Sequence, residues 1–166
     1  MSPVIRVLGA ADVAVYREIR LEALRLSPTA FGSAYERESV QPPEFFVQRL
    51  TGGTAFGGFD GDTLLGIAGF KQEEGLKERH KAMLFGMYVR PAARGTGLSR
   101  RLVEAVLDHA RGRVEQVLLS VSADNEAARR LYAGAGFVEY GVEPASLKQD
   151  GRYYDERLMI RRLLAD

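Results

Sequence analysis

The residues with the most chemistry to offer gather in one run, Arg90-Pro91-Ala92-Ala93-Arg94-Gly95-Thr96-Gly97-Leu98-Ser99-Arg100-Arg101. An apolar, strand-like stretch over 82–89 leads into it, and apolar residues at helical spacing follow it. A glycine-rich turn between a strand and a helix aims several backbone N–H groups at one point. The positive end of the helix dipole lies behind them, so the chemistry is anion binding, of a phosphate above all. Arg90, Arg94, Arg100 and Arg101 add charge at a helix start, where cations are unfavourable unless an anion joins them. Neither common nucleotide motif is present. A P-loop needs Lys and then Ser or Thr after its last glycine, and Leu98-Ser99 stands there. A dinucleotide fingerprint needs a third glycine where Arg100 stands. The plain alternative is a tight strand–helix turn with solvated arginines.

A second cluster, Asn125-Glu126-Ala127-Ala128-Arg129-Arg130-Leu131-Tyr132-Ala133-Gly134-Ala135-Gly136-Phe137, follows a buried-type strand. Asn125 suits a helix cap. Tyr132, by spacing alone, reads as a core aromatic. The two segments together resemble the GNAT N-acetyltransferase superfamily. The first matches its Arg/Gln-x-x-Gly-x-Gly/Ala pattern at Arg94, Gly97 and Ser99, with serine where glycine or alanine is usual. The second matches Asn-x-x-Ala-x-x-Leu-Tyr-x-x-x-Gly-Phe at Asn125, Ala128, Leu131, Tyr132, Gly136 and Phe137.

The resemblance implies acetyl-CoA as acetyl donor and a primary amine as acceptor. It places the pyrophosphate on the N–H groups of Gly95, Thr96, Gly97, Leu98 and Ser99, with Arg94 and Arg100 beside them. The pantetheine arm would pair with the strand edge at Met87, Tyr88 and Val89, freed by a bulge at Gly86. An N–H of Met87 or Val89 would polarise the thioester carbonyl. Tyr132 would protonate the departing thiolate. Asn125 would bond the cofactor arm or cap its helix. Arg129 and Arg130 are candidates for a further phosphate, although each reads more simply as solvated charge. With no cysteine to carry the acetyl group, direct attack in a ternary complex follows. A non-catalytic acyl-CoA-binding regulatory module is the alternative.

For the acceptor side, Phe31, Tyr35 and Glu36 in the 27–44 region are the candidates, with the 141–154 insert as a second variable region. Glu36, Glu38, Glu73 and Glu74 are candidate bases, each of which by itself reads as surface charge. His80 falls in a charged loop and His109 on the outer face of its helix. No spacing of histidines or carboxylates suggests a metal.

The elements that must position these residues follow from periodicity and turn residues. Strands are expected at 4–8, 54–59, 63–72, 81–89 and 114–122, with Asp60-Gly61 as a tight hairpin turn. Helices are expected from about Ala11 to Ser27, from Pro42 to Leu50, after Gly97, and after Asn125, with 31–40 as a loop holding a possible helical turn. A closing pair of strands, 137–141 and 154–163, flanks a loop insert. The result is an α/β (α+β) domain over 1–166. Its GNAT-like mixed, mostly antiparallel twisted sheet carries helices on both faces and parts near Met87 and Ser120.

The chain's 166 residues, 46% apolar and 27% charged, with net charge +1, fit one ordinary globular domain. That balance argues against a general nucleic-acid binder. No apolar run reaches the ~20 residues of a membrane helix, and no signal-peptide pattern opens the chain. The expectation is a cytoplasmic enzyme, a monomer or homodimer, acting on a small-molecule amine or a peptide or protein amine.

Overall fold

A computed structural model describes residues 2–163. Seven strands form one sheet: β1 Val4–Val7, β2 Thr54–Asp60, β3 Thr63–Gln72, β4 Lys81–Val89, β5 Gln116–Ser122, β6 Val138–Gln149 and β7 Arg152–Arg162. Their spatial order is β1-β2-β3-β4-β5-β7-β6, and among the described residues only β4 with β5 is parallel. The helices are α1 Val13–Leu26, α2 Tyr35–Glu38, α3 Pro43–Thr51, α4 Leu98–Ala110 and α5 Glu126–Gly134.

The expected turn at Asp60-Gly61 joins β2 to β3, with Gly61 in the left-handed region that such turns require. Apolar side chains then alternate between two cores. Leu64 and Ile67 of β3 face α1 and α3, alongside Ile19, Leu24 and Phe46. Leu65, Ala68 and Phe70 face α4, whose stripe of Leu98, Leu102, Val106 and Ala110 is almost wholly buried. Each such leucine contributes roughly 1.5–3 kcal/mol by leaving water. Gly58 lets α4 start against the sheet, since a Cβ there would lie 2.6 Å from Leu98 Cδ1.

Two expectations are corrected. Residues 141–154 are not a loop insert, because β6 and β7 run through them as one long hairpin turning at Asp150-Gly151. Pro144, which hid the strand, sits in a bulge between Glu143 and Leu147, where no ladder N–H is needed. Ala145 takes φ 49° there, and its N–H donates to Asp155 Oδ1 at 2.7 Å. His109 is not on an outer face. It packs edge-on against Phe56 and Phe70, with ring centroids 5.6 and 4.8 Å away, and Nε2 lies 3.3 Å from Thr54 Oγ1. Burial first, and then Arg113, lowers its pKa.

Candidate active site

The site begins where the sheet parts. β4 and β5 pair only from Lys81 to Met83 on one side and Gln116 to Leu118 on the other. The cause lies in β4. Gly86 adopts φ 62°, and Gly86 and Met87 together stand opposite the single residue Ala68 of β3. Such a bulge bends its strand and sharpens the local twist. β4 stays with β3, as the Arg90 N–H donating to Leu65 O at 2.8 Å attests. β5 stays with β7 along its whole length. Strand alternation turns the backbone groups of Val89 and Met87 toward the parted side. Val89 O accepts there from Arg94 Nε at 3.1 Å.

Between the parted strands lies a cavity of 540 Å³. Of the residues singled out in the sequence, it is lined by Met87, Tyr88, Val89, Arg94, Gly95, Ser99, Asn125, Tyr132 and Phe31. Thr96, Gly97, Leu98 and Arg100 belong to the turn and first helical turn beside it. Gly97 is the N-cap of α4 at φ 86°, and Gly95 has φ 75°. A Cβ on either would meet nothing within 4 Å, so both faces are open. The first backbone bond into α4 runs from Arg101 N–H to Gly97 O at 3.1 Å, leaving the preceding amides without helical partners. Thr96 Oγ1 closes the turn by donating to Ala93 O at 2.5 Å. The Leu98 side chain, 1% exposed, anchors the turn to the core, so only its backbone can face a ligand.

The opposite wall comes from β5 and α5. Asn125 caps α5, its Oδ1 accepting from Ala128 N–H at 3.2 Å. That bond supports the capping role, and Asn125 still reaches the cavity. Tyr132 is 6% exposed and packs edge-on against Phe137 at 5.9 Å. Burial raises its phenol pKa, which keeps the proton on at neutral pH. Tyr88 donates to Glu22 Oε2 at 2.8 Å, and burial together with Glu22 pushes it up to about 12.

The charges differ from the sequence expectation in three ways. First, the arginines of the turn are not all awaiting an anion. Arg90 pairs with Glu22 at 2.6 Å and Arg100 with Glu104 at 2.8 Å. Arg94 and Arg101 have no carboxylate partner among the described residues. Second, Glu38 is not surface charge. It is fully buried, accepts from Arg20 Nε and Nη2 at 3.1 and 2.9 Å, and lies 3.3 Å from Arg49. Burial pushes its carboxyl up, and the hydrogen bonds and positive charges around it, those of Arg20 first and Arg49 after, together outweigh that and leave it below the ordinary value. Third, the candidate bases do not meet the cavity. Among the described residues, its lining holds no aspartate or glutamate. Tyr35 lines a separate cleft against α1, Glu36 is exposed, and Glu73 and Glu74 border another cavity near His109. Glu22 and Arg20 were missed altogether, since both occupy helix positions with no local signal beyond charge.

These residues suit acetyl-CoA. Open glycines and unpartnered amides at the head of α4 fit a pyrophosphate, and a free strand edge fits a peptide-like arm. Among the described residues, the one charged side chain lining the cavity, Arg94, is a cation.

The fold is that of known acetyltransferases. It matches an acetyltransferase of the GNAT family from Streptococcus pneumoniae with a TM-score of 0.84, at 20% identity and covering 98% of this chain and 99% of that one. It also matches yncA from Salmonella typhimurium, a putative acetyltransferase solved with its cofactor acetyl-CoA. There the TM-score is 0.82, at 23% identity over 100% of this chain and 96% of that one. The model of the acetyltransferase (GNAT) family matches residues 17–137, and the chain belongs to that family. Acetyl-CoA is the family's acetyl donor. N-alpha-acetyltransferase RimI of Mycobacterium tuberculosis is 36% identical over 110 residues, 66% of this chain and 62% of that protein. A mycothiol acetyltransferase of Geodermatophilus obscurus is 37% identical over 127 residues, 72% of this chain and 41% of that protein. The chain thus spans less than two thirds of the length of either relative.

Proposed function

We propose that the chain transfers the acetyl group of acetyl-CoA to a primary amine by direct attack in a ternary complex. The observation that carries this reading is the slot itself, with the free edge of β4 on one wall and protonated Tyr132 on the other. Acetyl-CoA supplies an acetyl thioester. The amides of Gly95, Thr96, Gly97, Leu98 and Ser99 hold its pyrophosphate, with Arg94 and Arg100 as neighbouring cations. Met87, Tyr88 and Val89 align its arm. An N–H of Met87 or Val89 donates to the carbonyl oxygen, where a single such donor is worth roughly 10²–10³ in rate.

The amine nitrogen forms the new C–N bond as the C–S bond breaks, and Tyr132 gives its proton to the departing sulfur. The amine's surplus proton leaves through water, because no carboxylate among the described residues lines the cavity. Asn125 holds the start of α5 and so the position of Tyr132. Phe31 lines the acceptor end, while Tyr35 and Glu36, the other residues expected on the acceptor side, lie outside the cavity lining. In this reading the protein works in the cytoplasm, as a monomer or homodimer, on a small-molecule amine or a peptide or protein amine.

The test is CoA release from acetyl-CoA across an amine panel, with Tyr132→Phe alongside. A fall in kcat of about 10²–10⁴-fold with unaltered CoA affinity is expected. Tight CoA binding without turnover on any amine would identify a non-catalytic acyl-CoA-binding module instead.

A further inference from the structure

Beside the slot, next to Gly86 and Phe31 of its lining, lies a buried cation whose hydrogen bonding is incomplete. Arg20 of α1 is 4% exposed. Its Nε and Nη2 are both spent on Glu38. Nη1 has no hydrogen-bond partner among the described residues, yet it is not sealed in. The enclosed side-chain nitrogens without partners there are Arg157 Nε and Arg161 Nε. Nη1 lies 3.9 Å from the Cβ position of Gly86, at the bulge in the slot's wall. The guanidinium carbon sits 5.3 Å from the ring centre of Phe31, which lines the same cavity.

The surrounding charge points the same way. Two guanidiniums, Arg20 and Arg49, share the single carboxylate of Glu38. Arg49 is partly exposed, but Arg20 is buried, and a buried cation with only a share of one carboxylate gains from a further anion. Among the described residues the cavity lining supplies none, since it lacks aspartate and glutamate, and a polycationic amine would find no counter-charge from them.

We propose that Arg20 Nη1 binds an anionic oxygen of the acceptor, so that the acceptor is an amine bearing a carboxylate, of the α-amino acid class. Glu38 holds the guanidinium fork from behind, and Phe31 covers its face. Gly86, lacking a side chain, leaves the path to Nη1 open. A carboxylate a few bonds from the attacking nitrogen would pin it beside the free edge of β4. The assignment rests on the acetyl-transfer reading for the identity of the ligand as an amine.

The test compares acceptors that differ only in the carboxylate. L-Phenylalanine is set against phenethylamine and phenylalaninamide, and L-methionine against 3-(methylthio)propylamine. The wild-type protein should favour the acids by at least about 100-fold in kcat/KM, as sites built to bond a polar group do. In Arg20→Lys, which keeps the charge without the planar fork, that ratio should fall below about 10, mainly through KM. A structural role alone would depress both members of a pair alike and leave their ratio standing. CoA affinity checks that the variant folds. Equal use of acids and amines by the wild type would overturn the assignment while leaving acetyl transfer intact. Binding is read separately by saturation-transfer NMR on the CoA-loaded protein. N-acetyl-phenylalanine should bind and N-acetyl-phenethylamine should not, and equal binding would also overturn the assignment. Preferential binding of the acid with no turnover of any amine would support the Arg20 site and remove the transferase reading instead.

Discussion

Replacing Gly97 by aspartate separates ligand binding from folding at the head of α4. Gly97 holds φ 86° and ψ 0°, a conformation that costs an L-residue roughly 1–2 kcal/mol. A carboxylate at a helix N-terminus returns about 0.3–1 kcal/mol. A Cβ there meets nothing within 4 Å, so no steric penalty is added. The net loss of about 1 kcal/mol should lower Tm by only ~2–4 °C. Binding responds very differently. A carboxylate about 5 Å from a bound anion, at an effective dielectric near 40, repels each unit charge by roughly 1.7 kcal/mol. A doubly charged pyrophosphate therefore loses about 3 kcal/mol, or roughly two orders of magnitude in affinity. Calorimetric titration with CoA at low salt, where screening is least, measures it. Gly97→Asn adopts the same backbone without the charge and should lose no more than about 5-fold. Pantetheine, which lacks the pyrophosphate, should bind both variants alike. If the aspartate variant bound CoA within about 3-fold of the asparagine variant, the phosphate cradle would not be at Gly97.

Glu38→Ala strands Arg20 in the interior, while the partly exposed Arg49 loses a partner, and should cost about 3–5 kcal/mol in urea unfolding, with Glu38→Gln losing less. The folded-state pKa of Glu38 lies below its unfolded value. The stability it contributes is therefore complete above the unfolded carboxylate range, near pH 4.3, and is lost as pH falls through the folded value. Unfolding curves from pH 6 down to 3 should show a steeper acid limb in the native protein than in Glu38→Gln. His109 also has a lowered folded pKa, so stability from its neutral ring is complete above about pH 6.5 and declines as pH falls from there through the folded value. His109→Gln should flatten that segment in thermal melts between pH 7 and 5, and an unaltered slope would show that the ring titrates as freely as in the unfolded chain.

Elements whose signals are local were legible in the sequence. The expected bounds of β3 and β4 agree with the observed Thr63–Gln72 and Lys81–Val89, because alternation and the Asp60-Gly61 turn mark them within a few residues. The bulge at Gly86 was expected from the family resemblance, for which an isolated glycine in an apolar strand is well placed. The length of β6 was not, since Pro144 and its polar neighbours look like a loop until β7 supplies a partner. Roles decided by distant contacts were equally hidden. Glu38 reads as exposed charge in a four-residue helix, and only the approach of α1 and α3 brings Arg20 and Arg49 onto it. His109 reads as polar, and only the aromatic rings of β2 and β3 make its site apolar.

The slot has an energetic logic of its own. Parting β4 from β5 beyond Met83 and Leu118 gives up a row of ladder bonds, and each backbone group left dry would cost roughly 1–3 kcal/mol. The loss is tolerable because each strand keeps its outer partner, β3 for β4 and β7 for β5, so neither strand depends on the seam for its conformation. What the seam leaves is a rigid row of donors and acceptors at strand spacing, wet when empty and complementary to any arm that carries amides in extended form. Rigidity is the essential property. A flexible edge would spend binding free energy on being ordered, whereas in the proposed reaction an edge already held by β3 would align an acyl group against Tyr132 without that cost. The bulge at Gly86 is thus the origin of the site: it opens the edge of β4, and the glycine that makes it leaves room toward Arg20.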